Sequence, residues 1–162
     1  MSAPGDPGGP HGGVSAPVAV LFATVGFFAL LVAGFGLLSL GADAEVLPVT
    51  GLGQAPGAVG TAAAVIAFAA GAAMLVRPPR PAYRGVWLVA VGCFLAYLAG
   101  VLIGAALAGV DLARAIAAVG GFATSWFAVL LASIALASAW AAVALVRTRA
   151  GRPRWPWERQ DD

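Results

Sequence analysis

Four stretches of the chain contain no Asp, Glu, Lys, Arg or His: residues 18–40, 58–76, 85–109 and 115–146. Polar residues and helix breakers gather in the short links between them. About 20 apolar residues are enough to cross a hydrocarbon core near 30 Å thick. The pattern therefore predicts four transmembrane helices over those ranges, and residues 17–146 as one all-α, four-transmembrane-helix bundle. Gly41 is placed to stop the first helix. The second is short and rich in alanine, so its insertion depends on its neighbours. Arg77-Pro78-Pro79-Arg80-Pro81 ends it, because each proline lacks the N–H a helix needs. The fourth stretch exceeds one crossing. Either its first two turns lie along the interface or the helix tilts, and Gly120-Gly121 marks a bend or the true start.

The third stretch has the most pattern of its own. Gly92, Ala96, Gly100, Gly104 and Ala108 recur at intervals of four, beside bulky rows that include Trp87 and Leu102. Residues four apart stack on a helix. A face of small residues lets another helix come close in lipid, where packing replaces the hydrophobic effect as the force of association. The expected partners of this face are Ala63/Ala67/Gly71 on the second helix or Ser133/Ala137/Ala141 on the fourth. Tyr97, at mid-helix, is expected to pack on the fourth helix. A Tyr97–Ser133 hydrogen bond is the pairing to test there, but the arrangement expected ahead of it has Ser133 bonded to its own preceding turn and Tyr97 satisfied by a backbone carbonyl.

Charge sets the expected threading. The link around Arg77, Arg80 and Arg84 holds three arginines and the segment from Arg147 holds five, while Arg114 stands alone in the other links. Arginine-rich links stay cytoplasmic, so both termini are expected inside. Trp87 and the Trp155/Trp157 pair then lie at the inner interface and Trp126 toward the outer one. Arg77, Arg80, Arg84, Arg147, Arg149, Arg152 and Arg154, with those tryptophans, form the expected membrane-interface set. Residues 147–162 are a basic, tryptophan-bearing cytoplasmic tail that favours anionic lipid. Residues 1–16, dominated by Gly and Pro, are a disordered cytoplasmic tail.

Composition agrees. Of 162 residues 61% are hydrophobic, against roughly 45–50% for soluble domains, and the mean hydropathy is +0.94. The pI near 9.3 is no sign of nucleic acid, because every basic residue is arginine and most stand beside membrane segments. One cysteine, Cys93, excludes an intrachain disulfide and a CxxC pair.

Candidate chemistry is thin. Intramembrane charges mark ion and proton carriers, and the four stretches have none. The one histidine, His11, sits in the N-terminal tail, so haem ligation within the helices is excluded. No Ser–His pair, metal-binding cluster or pair of intramembrane aspartates is present. Neither an enzyme nor a resident cofactor is expected.

The four-span layout and the tail Pro153-Arg154-Trp155-Pro156-Trp157-Glu158 resemble small uncharacterised four-helix membrane proteins of high-GC Gram-positive (actinobacterial) bacteria. That resemblance implies a multi-pass cell-membrane protein and carries over no functional residue. The expected function is that of a structural or accessory protein, packing through its small-residue faces against itself or another membrane protein. The alternative is a passive pore or a non-proton-coupled small-solute transporter acting as an oligomer.

Overall fold

The structure, a computed structural model, describes residues 15–43, 45–47, 53–77 and 83–147. The described residues form five α-helices: α1 (Ala16–Ala42), α2 (Ala55–Val76), α3 (Val86–Leu107), α4 (Leu112–Ala123) and α5 (Trp126–Arg147). A single 3₁₀ turn, Tyr83–Gly85, leads into α3. With that turn included, four helices are long and apolar enough to cross a membrane, and α4 is the shorter apolar one.

The helix ends follow from local chemistry. α1 runs through Gly41, which does not stop it. The stop comes at Asp43, which takes the left-handed conformation (φ 46°) and donates its backbone N–H to the Ser39 carbonyl. Asp tolerates that region better than most residues. α2 begins at Ala55 rather than 58, because Pro56 falls in the first turn, where its missing N–H costs no intrahelical bond. At the end of α3, Val110 N–H reaches the Ala105 carbonyl at 2.9 Å and Gly109 N–H reaches Ala106 at 3.1 Å. This is a Schellman cap, and it requires the positive φ that Gly109 takes (69°). Asp111 then caps α4, accepting from the Ala113 N–H at 3.1 Å. One helix ends and the next begins within four residues.

The stretch expected as one helix over 115–146 is two helices. Helical geometry breaks at Thr124–Ser125, three residues beyond Gly120-Gly121. The Thr124 hydroxyl donates to the Gly120 carbonyl at 3.1 Å and the Ser125 hydroxyl to the Phe122 carbonyl at 2.7 Å. These hydroxyls satisfy carbonyls at the break, which is how an interruption is tolerated in apolar surroundings. α4 neither extends α5 as one straight rod nor lies away from the bundle. Its last turn is back beside the middle of α3, since Phe122 stacks on Tyr97 at 4.2 Å between ring centroids.

Helices α2 and α3 make the most extensive pairing, and α1 bridges α5 and α2. Phe27 of α1 stacks on Phe68 of α2 at 4.5 Å and 7°. Phe27, Leu31, Phe68, Cys93, Tyr97, Val101, Phe122, Leu131 and Val143 fill the centre. Large apolar side chains such as Phe22, Leu40, Leu95 and Trp126 face outward, which suits a lipid surface and not water.

Gly120 and Gly121 have open space where a Cβ would stand. Gly120→Ala and Gly121→Ala should each raise stability, by roughly 0.5–1 kcal/mol on helix propensity. A lower unfolding temperature in detergent for both would contradict the placement of these residues on an open face.

Candidate functional site

The seam between α2 and α3 is built from backbone. A Cβ on Gly100 would stand 2.7 Å from the Gly60 Cα, 2.8 Å from the Ala63 Cβ and 2.9 Å from the Val59 carbonyl oxygen. On Gly104 it would stand 2.7 Å from the Pro56 Cα and 3.0 Å from the Val59 Cβ. From the other side, a Cβ on Gly60 would meet a Val101 methyl at 2.8 Å and the Tyr97 carbonyl at 3.1 Å. Such distances leave no room for a side chain, so the helices touch main chain to main chain.

Only part of the expected row takes part. Gly100 and Gly104 are buried in the seam, Ala96 is half-buried, and Gly92 and Ala108 are exposed. The reason is rotational. Four residues turn a helix by about 400°, so a row at intervals of four drifts some 40° per step and cannot keep one face over its whole length. On α2 the facing residues are Pro56, Val59, Gly60 and Ala63, with Gly71 against Val89. Ala63 and Gly71 were expected there. Pro56 and Gly60 were missed, because the expected start at 58 removed Pro56 and separated Gly60 from its row.

One turn from Gly100, Tyr97 is fully buried. Its ring stacks on Phe122 (interplanar angle 26°) and meets the Phe35 edge at 6.1 Å. Phe35 also packs edge-on against Phe122 at 6.2 Å and Phe127 at 5.5 Å. Four rings thus tie together α1, α3, α4 and α5, and such pairs contribute about 0.5–1.5 kcal/mol each beyond burial. The Tyr97–Ser133 hydrogen bond is not formed, and Ser133 takes the own-turn bond expected ahead of it. Ser133 is exposed on α5 and donates to the Val129 carbonyl, one turn back, at 2.8 Å. Phe122, in the last turn of α4, stands level with Tyr97, and Ser133 falls in the next helix, about two turns beyond the break at Thr124–Ser125.

Above this cluster is a cavity of about 260 Å³ with Phe35, Leu47, Thr61 and Tyr97 in its walls and Glu45 and Gln54 at its rim. The Thr61 hydroxyl is engaged, donating to the Gly57 carbonyl at 2.9 Å. Among the described residues no three His, Cys, Asp or Glu side chains gather as a metal site.

Of the expected interface residues, Arg77, Arg84, Trp87 and Arg147 are exposed. The Arg147 guanidinium lies 4.8 Å over the Tyr83 ring, which itself stacks with Trp140 at 6.1 Å. Neither Tyr83 nor Trp140 was anticipated. Arg80, Arg149, Arg152, Arg154, Trp155 and Trp157 lie outside the described residues, as does His11.

These features define an all-helical protein with four candidate membrane spans and a backbone seam at its centre. The chain belongs to DUF6121, a family of unknown function, whose match covers residues 14–162. No curated protein and no solved structure matches it.

Substitutions can separate the seam from the rest of the row. Gly100→Leu should lower the unfolding temperature in detergent markedly, since overpacking costs about 1–3 kcal/mol or more where backbone must move. Gly92→Leu, with open space around it, should change little, and Leu102→Ala less than Gly100→Leu. Equal shifts for Gly92→Leu and Gly100→Leu would remove the seam from the account.

Proposed function

We propose that this chain is a multi-pass cell-membrane protein with both termini cytoplasmic, and that it works as a non-catalytic accessory protein by packing laterally against a partner helix. One observation carries the reading. The small-residue face of α3 is already occupied by α2, whereas the row Ser133, Ala137 and Ala141 on α5 stays exposed over two turns. Because its hydroxyl is bonded within its own helix, Ser133 behaves there as one more small residue. The partner is a second copy or another membrane protein, and both leave the interior of this bundle unchanged.

Charge supports the threading. α1 begins beside Val76 and Arg77, where Ala16 and Pro17 line a shared pocket. Its far end, at Asp43, therefore lies at the other end of the bundle. Arg77, Arg84 and Arg147 stand at the first end. Asp43, Glu45 and Asp111 stand at the second, with Arg114. The positive-inside rule puts the first end in the cytoplasm. A second reading, a small-solute pathway through an oligomer, draws on the cavity above Tyr97, and solute flux in liposomes of the pure protein is its measurement.

Two outcomes are expected. In mild detergent, mass spectrometry should find a stoichiometric partner chain or a dimer, which Ala137→Leu with Ala141→Leu abolishes while helical content is kept. A wild-type monomer without a partner would end the accessory reading. For the threading, Cys93 is buried and silent, so introduced cysteines report cleanly. A membrane-impermeant maleimide should label Glu45→Cys on intact cells and Arg77→Cys only after permeabilisation; the reverse pattern inverts the orientation.

A further inference from the structure

Between α3 and α5 runs an outward-opening groove of about 400 Å³ with no polar surface in its lining. Its floor is alanine, with Ala90 and Ala128 buried and Ala132 beside them. Its walls are the exposed side chains Trp87, Val91 and Leu136. From Leu136 to Ala128 the trough measures about 12 Å along the helix, at 1.5 Å per residue. Beyond its lower end lies a pair of stacked rings. Trp140 lies one turn beyond Leu136, Tyr83 one turn before Trp87, and the two rings stack at 6.1 Å. On the far side of that stack the Arg147 guanidinium covers Tyr83 at 4.8 Å, and Arg84, next in sequence, is exposed.

We propose that this groove is the site of one anionic phospholipid, with an acyl chain along the alanine floor and the phosphate at Arg84 and Arg147. The proposal rests on the membrane reading above and adds a particular ligand and place to it. Charge complementarity selects the occupant. The acids among the described residues, Asp43, Glu45 and Asp111, all stand at the opposite end of the bundle, so among those residues neither arginine has a carboxylate beside it. A guanidinium held over a ring keeps its in-plane N–H donors free for two phosphate oxygens. A second protein helix would fill the apolar trough equally well but would leave both cations without an anion.

The test uses the full chain extracted from membranes in mild detergent and native mass spectrometry with added phosphatidylglycerol or phosphatidylcholine. The wild type should retain one phosphatidylglycerol in preference to phosphatidylcholine. Arg84→Gln with Arg147→Gln should reduce that preference roughly 30-fold, which corresponds to about 1 kcal/mol per arginine, while Arg114→Gln at the other end leaves it unchanged. Ala132→Phe, which fills the trough and spares both arginines, should abolish retention of the lipid. Excess inorganic phosphate should not displace it, because a phosphate alone has no chain for the groove. Equal retention of the two lipids by the wild type, unchanged retention in Ala132→Phe, or displacement by phosphate would each overturn the site. Failure of the chain to fractionate with membranes would overturn the membrane reading and this proposal together, whereas the other failures leave the membrane reading standing.

Discussion

The contact on which the bundle depends is the main-chain approach of α2 to α3 at Gly60, Gly100 and Gly104. In hydrocarbon, burying an apolar side chain gains little over leaving it in lipid, so association rests on close packing. A single atom pair contributes only about 0.1–0.2 kcal/mol, and many pairs come within range only if no side chain holds the helices apart. Three glycines and Pro56 meet that condition at one place. The consequence reaches beyond the seam. α2 is rich in alanine and has little transfer energy of its own, so a place for it in a membrane would depend on its packing against α3. Because the seam fixes the register of the two helices, it also fixes where Tyr97 stands.

From Tyr97 the order spreads to the rest of the molecule. The ring is covered by Phe122, and Phe122 can reach it only because the chain turns sharply at Gly109 and Asp111 and brings α4 back along α3. The hydroxyls of Thr124 and Ser125 then make the break between α4 and α5 tolerable. Phe35 completes the cluster from α1. Backbone seam, capped turn and aromatic cluster are thus successive steps, each of which needs the previous one in place.

The four apolar stretches were legible because an uncharged run is a long signal, insensitive to detail. Helix ends were less so. Gly41 suggested a stop that the chain takes two residues later at Asp43, because a glycine is compatible with helix wherever neighbours allow it. Pro56 hides the start of α2 by being a breaker everywhere except the first turn. The row on α3 was read as one face, and its drift of about 40° per step explains why its centre packs while its ends do not. On α2 the same drift is used. Pro56, Gly60, Ala64, Phe68, Ala72 and Val76 are all buried, since the row turns from α3 at Gly60 toward Phe27 of α1 at Phe68. Whether a row at intervals of four stays buried depends on a second neighbour taking it over, and sequence spacing alone does not contain that information. The aromatic partners were hidden for a related reason: Tyr97 and Phe122 meet through a tertiary fold-back that no periodicity encodes.

These same constraints bear on function. A face made of glycine can serve one partner at a time, and on α3 that partner is α2. Under the proposed function, lateral association would therefore fall to helices whose small residues remain outside, and α5 has such a row at Ser133, Ala137 and Ala141. The groove lies on the neighbouring side of α5, facing α3, and its lining stops one turn short of the stacked Tyr83 and Trp140. A lipid seated there would brace α5 against α3 below the level of the Tyr97 cluster, away from the glycines of the α2–α3 seam. The two outward features of α5 are then linked: a brace on one side of the helix steadies the row that it presents on the other.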